Sequence, residues 1–183
     1  MADTEPMKAP FSDHRIATKG QNTVDEAVRT LRSLWRQHGV PEALLCIGTD
    51  RSTGDALGPL VGTEIETQLP RLKVLGTLNH PVHAGNLEDV LRNYPDLTQK
   101  RLLAVDASLG RLQDVGTLLI RLGPLRPGSG VNKQLPPLGH YHITGTVNVG
   151  GFMEYFVLQN TRLALVMQMA SFISLALAAS LNP

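Results

Sequence analysis

Apolar residues Val24, Ala27, Val28, Leu31, Leu34 and Trp35 recur at spacings of three and four between Thr23 and Gly39, with polar residues filling the gaps. That spacing puts one apolar stripe on a helix, which Thr23 and Glu26 open in capping-box spacing and Gly39 stops. Further along, the apolar positions run continuously. "EALLCIG", "RLKVLGTL", "KRLLAVDAS" and "VGTLLIRLG" each predict a short strand with no polar side. "LVGTEIETQL" lies between the first two and "NLEDVLRNY" between the next two, both with helical spacing. Strands that alternate with helices, and that are apolar on both faces, belong in a parallel sheet covered on both sides. The expected fold class is α/β, a three-layer α/β/α arrangement with a mostly parallel central sheet.

The ends of the chain need separate readings. "LALVMQMASFISLALAAS", Leu163 to Ser180, is uncharged throughout and approaches the length of a membrane span. Thr161, Ala164, Gln168, Ser171, Ser174 and Ala178 nevertheless form a small, polar stripe at helical spacing, so the segment is expected to dock on the core as an amphipathic helix. Residues 1–20 mix prolines and charges without a signal-peptide run, and predict a flexible arm before a single domain over 21–183. The stretch "GPLRPGSGVNKQLPPLGHYH" reads as a long loop, of a kind that is often functional.

Composition narrows the partners. Lys and Arg number 17 against 16 Asp and Glu, a formal charge of +1, and no basic block is present, so nucleic acid is not an expected partner. A small molecule or a protein is the better default, and apolar groups around "GGFMEYFVL" suit an interface between copies of the chain. The lone Cys46 lies in an apolar run, which excludes a disulfide within the chain and suits a buried thiol in a reducing, cytoplasmic setting.

The chemistry concentrates in acids. Ligands of open parallel sheets bind beyond the carboxyl ends of the strands, where the first strand leads to Asp55 and the third to Asp106. Two carboxylates in a partly dry crevice cannot both ionise cheaply; such a pair can hold a shared proton, activate a water and protonate a leaving group, or ligate a divalent metal. Each acid also has a plainer role: Asp55 suits an N-cap before "ALGPLVGTEI", and Asp106 could bond loop amides. Asp50 reads as a loop or Asx-turn acid. Gly48, Gly54 and Gly58 match neither a Walker loop nor a dinucleotide fingerprint, so no cofactor is expected. His80 with His83, and His140 with His142, lack zinc spacing, while Ser52, Ser108 and Ser129 lack a nucleophile elbow.

Taken together, "GDALGPLV", "LLAVDASLGR" and "GPLRPGSGVNK" resemble the germination protease of spore-forming bacteria in the same order. From Leu44 to Ala170, including "ITGTVNVGGFMEYFVLQNTRL", the chain is similar to the short YyaC-like sporulation proteins, relatives of that protease and of the hydrogenase maturation endopeptidases. The resemblance implies a phosphorylase/hydrolase-like fold and carries the two catalytic aspartates onto Asp55 and Asp106. It further implies a peptidase acting on a spore protein, in the forespore or spore interior, with loop 123–142 helping to shape the cleft; the alternatives are a non-catalytic spore protein that binds a partner with the same fold and a metal-assisted maturation endopeptidase. The hydrogenase endopeptidases read nickel with Glu, Asp and His. Asp55 and Asp106 would take the first two positions, and no histidine falls clearly at the third.

Overall fold

The computed structural model describes residues 13–126 and 137–182. In chain order these form β1 (His14–Ala17), α1 (Thr23–His38), β2 (Ala43–Cys46), a 3₁₀ turn (Gly54–Ala56) running into α2 (Leu57–Gln68), β3 (Lys73–Leu75) and α3 (Leu87–Asn93). β4 (Leu102–Gly110), β5 (Thr117–Leu122), β6 (Tyr141–Val149), α4 (Glu154–Gln159) and α5 (Leu163–Leu181) follow. The sheet order is β1-β5-β6-β4-β2-β3. β6, β4, β2 and β3 run parallel, whereas β5 is antiparallel to both of its neighbours.

The four predicted strands are all present, in a mixed sheet with helices on both faces. α1, α2 and α5 cover one face, where Leu44, Cys46, Leu103, Val105, Leu118 and Ile143 pack with Leu31, Val61 and Met169. α3 and the turn behind it cover part of the other, where Leu45, Ile47 and Ala104 meet Leu87 and Leu97. Burial on both faces explains why these strands read as unbroken apolar runs.

Several local expectations change. Asn22 precedes α1 in the left-handed region at φ 63°, and Thr23 Oγ1 donates to the Gly20 carbonyl at 3.3 Å, so no capping box forms. The expected arm ends in β1, whose Ile16 is buried and whose residues pair with Thr117 to Ile120 of β5. β6 was not anticipated as a strand. It occupies "YHITGTVNV", rich in β-branched residues, and takes His142 out of the expected loop.

α5 is long and apolar enough to cross a membrane, by length and composition only. Half of it is buried inside the fold, against α1 and α2. Trp35 Nε1 donates to Ser180 Oγ at 3.2 Å, Arg32 to the Ala179 carbonyl at 2.8 Å and Gln168 Nε2 to the Thr18 carbonyl at 3.1 Å. The expected polar stripe is only partly the outer face: Ala164 and Ser171 are exposed, but Ser174 is buried, and Leu163, Met167 and Leu175 point outward in its place.

Candidate functional site

Strand register builds a crevice. β2 ends at Cys46, which pairs with Val105, so Asp106 is the first residue of β4 beyond its neighbour's end. β4 itself continues to Gly110 beside β6, with Asp106 opposite Thr144. Asp106 therefore sits within a strand, not at its end as expected, and it is the early end of β2 that opens space beside it. The chain leaves β2 toward β3 on one side, then returns through α3 to β4 on the other. This is the topological switch point at which ligands of such sheets bind.

Asp55 reaches the same place from the turn after β2. Gly48, at φ 146°, reverses the chain, and the Thr49 N–H closes the loop on the Asp55 carbonyl at 3.1 Å. A Cβ on Gly48 would lie 1.9 Å from that carbonyl, so the turn needs glycine for space as well as conformation. Asp55 occupies the 3₁₀ turn, and neither that turn nor α2 has a side-chain cap. The capping role weighed for Asp55 is thus not made.

The electrostatics couple the two acids. Burial raises Asp106 to about 8, opposed by the Ala107 N–H, which donates to Asp106 Oδ1 at 2.8 Å, and reinforced by the charge of Asp55. Burial also raises Asp55, and the neighbouring Ser52 hydroxyl opposes that rise. Burial displaces Asp106 further than Asp55, so Asp55 is the more readily ionised of the two. Ser52 is buried and its Oγ lacks a hydrogen bond of ordinary geometry, although it lies close enough to stabilise the Asp55 carboxylate.

Sequence reasoning weighed Ser108 only as a nucleophile and missed Thr146. Ser108 shares the Asp106 face by the period of two along β4, and its Oγ lies 3.4 Å from Thr146 Oγ1 of β6. That periodicity in "DAS" was the available signal.

Other candidates lie elsewhere. Asp50 is exposed in the turn, where Thr49 Oγ1, not Asp50, accepts the Arg51 N–H. Ser129 lies outside the described residues. Loop 123–142 runs from the end of β5 to the start of β6, and because β5 is antiparallel its described ends lie at the amino ends of the parallel strands. There Leu125 pairs with Leu138, and the His140 N–H bonds the Leu102 carbonyl. These parts face away from the aspartates, contrary to the expected role in shaping the cleft; residues 127–136 lie outside the described residues.

The histidines do not complete a metal triad. His140 Nδ1 accepts from the Leu102 N–H at 3.3 Å, at the far end of β4, and His142 Nδ1 is 2.8 Å from the Gly123 carbonyl. Among the described residues no three His, Cys, Asp or Glu side chains group to hold a metal ion. The donor set around Asp55 and Asp106 therefore does not fit a three-ligand metal site.

A family model described as a protein of unknown function, DUF1256, matches residues 15–176. The chain belongs to the DUF1256 family. It is 56% identical over 141 residues to the uncharacterized protein YyaC of Bacillus subtilis strain 168, covering 76% of this chain and 69% of that protein. Among solved structures, the DUF1256 chain is similar to the NiFe hydrogenase maturation protease HycI from Thermococcus kodakarensis KOD1. The TM-score is 0.50 at 16% identity, over 83% of this chain and 99% of the other. That likeness concerns the fold.

Proposed function

We propose that this protein is an aspartic-type endopeptidase that hydrolyses a peptide bond in a spore protein, in the cytoplasm of the forespore. The observation that carries the reading is the pair itself. At the switch point among the parallel strands the charge of Asp55 acts on Asp106, and both acids are displaced upward, Asp106 to about 8. Titratable groups whose environments push their pKa values apart mark an acid and a base. The fold shared with the HycI maturation protease supports the class, and the spore setting follows from the motif resemblance.

The roles follow from the order of ionisation. Near neutral pH Asp55 is the carboxylate and takes a proton from a water whose oxygen attacks the scissile carbonyl carbon. Asp106, still protonated and oriented by the Ala107 N–H, gives its proton to the amide nitrogen as the C–N bond breaks. The products are a carboxyl group and an amine. A proton then passes from Asp55 back to Asp106, by way of solvent, to restore the starting state.

The direct test is cleavage of small spore proteins by wild type, Asp55→Asn and Asp106→Asn. Cleavage by wild type alone supports the reading; equal cleavage by all three proteins, or none by wild type, rejects it.

A further inference from the structure

Beside the aspartates lies a surface that the acid chemistry does not use. Phe152, Met153, Tyr155 and Phe156 are 52% to 81% exposed within five residues, a cluster far denser than scattered surface apolar groups. With Val149 and Val157 most of them line an open groove of about 580 Å³, within the range of about 300–1,000 Å³ usual for ligand sites. None of the lining side chains is charged. Glu154 turns back, accepting the Gly151 N–H at 3.2 Å.

The groove is built, not frayed. Met153 is held at φ 50° and ψ 44°, a conformation costly for a residue with a Cβ, and its carbonyl accepts the N–H groups of Phe156 and Val157. Asn148 ties the end of β6 to α4, donating to the Val157 carbonyl at 3.3 Å and to Thr161 Oγ1 at 3.1 Å.

Its position identifies the occupant. The groove starts at the end of β6, the strand that flanks Asp106, and the far end of α4 rests on the turn that carries Asp55. There Gly54 leaves so little room that a Cβ would lie 2.8 Å from Leu158 Cδ2. The groove and the acids therefore lie at the same, carboxyl, end of the sheet, joined through α4. We infer that the groove is the apolar specificity subsite of the Asp55–Asp106 cleft, taking leucine-, methionine- or phenylalanine-type side chains of an extended polypeptide; the inference rests on the peptidase reading. Binding side chains remote from the scissile bond is how a peptidase of this kind positions that bond. The uncharged lining selects against acidic and basic side chains at the same position.

Two measurements test it separately from that reading. The first uses Asp106→Asn protein and fluorescein-labelled heptapeptides, Gly-Ser-Phe-Leu-Met-Ser-Gly against Gly-Ser-Ser-Gln-Ser-Ser-Gly, followed by anisotropy. The apolar peptide is expected to bind at least about tenfold tighter, and Phe152→Ser or Phe156→Ser to remove that advantage while the melting temperature holds, both side chains being exposed. The second profiles cleavage of a proteome-derived peptide library by wild type and Phe156→Ser. Wild type is expected to enrich apolar residues at one fixed position from the cut, and Phe156→Ser to flatten that enrichment through KM. Groove-dependent binding with no cleavage overturns the peptidase reading and leaves the groove as an apolar peptide site. Cleavage with no groove dependence overturns this inference and leaves the reading intact. Sedimentation as a dimer that Phe156→Ser dissociates would show a second copy as the occupant and also overturn it.

Discussion

Replacing Asp106 by Asn removes a proton site while keeping the acceptor for the Ala107 N–H. Burial, with the Asp55 charge behind it, carries the Asp106 carboxyl from 3.8 to about 8. At about 1.4 kcal/mol per pKa unit, the full displacement corresponds to roughly 6 kcal/mol of pH-dependent stability. Asp106 keeps some solvent exposure, and water drawn to the new charge screens it. The expected change is therefore about 3 kcal/mol. The sign follows from where the proton is held: the native state binds it more tightly than the unfolded chain. This contribution is complete below about pH 3.8 and is lost as the pH rises toward 8. Asn cannot ionise, so the variant escapes the loss. Urea unfolding of both proteins at about pH 5, 7 and 9 reads the difference, and the variant should gain on wild type by roughly 1–2 M in midpoint between the extremes. Comparing the two proteins cancels groups that titrate alike in both. Parallel stability curves, or a wild type that gains on the variant as pH rises, would refute the half-buried, proton-holding state of Asp106.

Peptide cleavage should follow a bell in kcat/KM. The alkaline limb should fall near 8 as Asp106 loses its proton, and the acid limb should lie above the ordinary aspartate range because Asp55 is raised; a rate still rising above pH 9 would contradict the assignment. Gly48→Ala and Gly58→Ala push a Cβ to 1.9 Å from the Asp55 carbonyl and 2.1 Å from the Ile47 carbonyl, so each should cost at least about 2 kcal/mol, seen as a lower Tm. Cys46 is fully buried and burial drives its thiol far up, so a thiol reagent should label it only at the rate of unfolding. Ser180→Ala leaves Trp35 Nε1 without its buried partner and should cost about 1 kcal/mol in chemical denaturation.

How far the sequence showed these features depends on whether they are local. α1 and the four apolar strands follow from spacing within a dozen residues, because their burial repeats with the element's own period. Asp55 and Asp106 could be named as acids after apolar runs, but their meeting depends on Cys46 pairing with Val105, a register that no local pattern encodes. Loop 123–142 was assigned to the wrong end of the sheet for the same reason. Its placement depends on β5 running antiparallel and on β6 inserting between β5 and β4. β6 itself was hidden by the glycine and proline before it, which extended the apparent loop into His142. The outer face of α5 was misread because Ser174 lies buried among apolar neighbours, whereas Leu175 faces out.

The simpler explanations of the two acids leave different features without a role. Asp55 would be ordinary as a helix cap, yet no cap bond is made, and its carboxylate lies partly buried beside a Ser52 hydroxyl that finds no other good partner. Asp106 would be ordinary as an acceptor for a loop amide, yet the bond it makes is to its own neighbour, Ala107, and an asparagine would make that bond as well. What an aspartate adds there is a group that ionises near neutrality, at a cost in stability that grows with pH. A position that only had to satisfy one N–H would gain nothing from that cost. A position that must hand a proton to a leaving amine needs a group that stays protonated when Asp55 does not. A half-buried aspartate on β4, one residue past the end of β2, is such a group. Asp106→Asn should therefore leave the protein folded and more stable at alkaline pH, while removing its turnover.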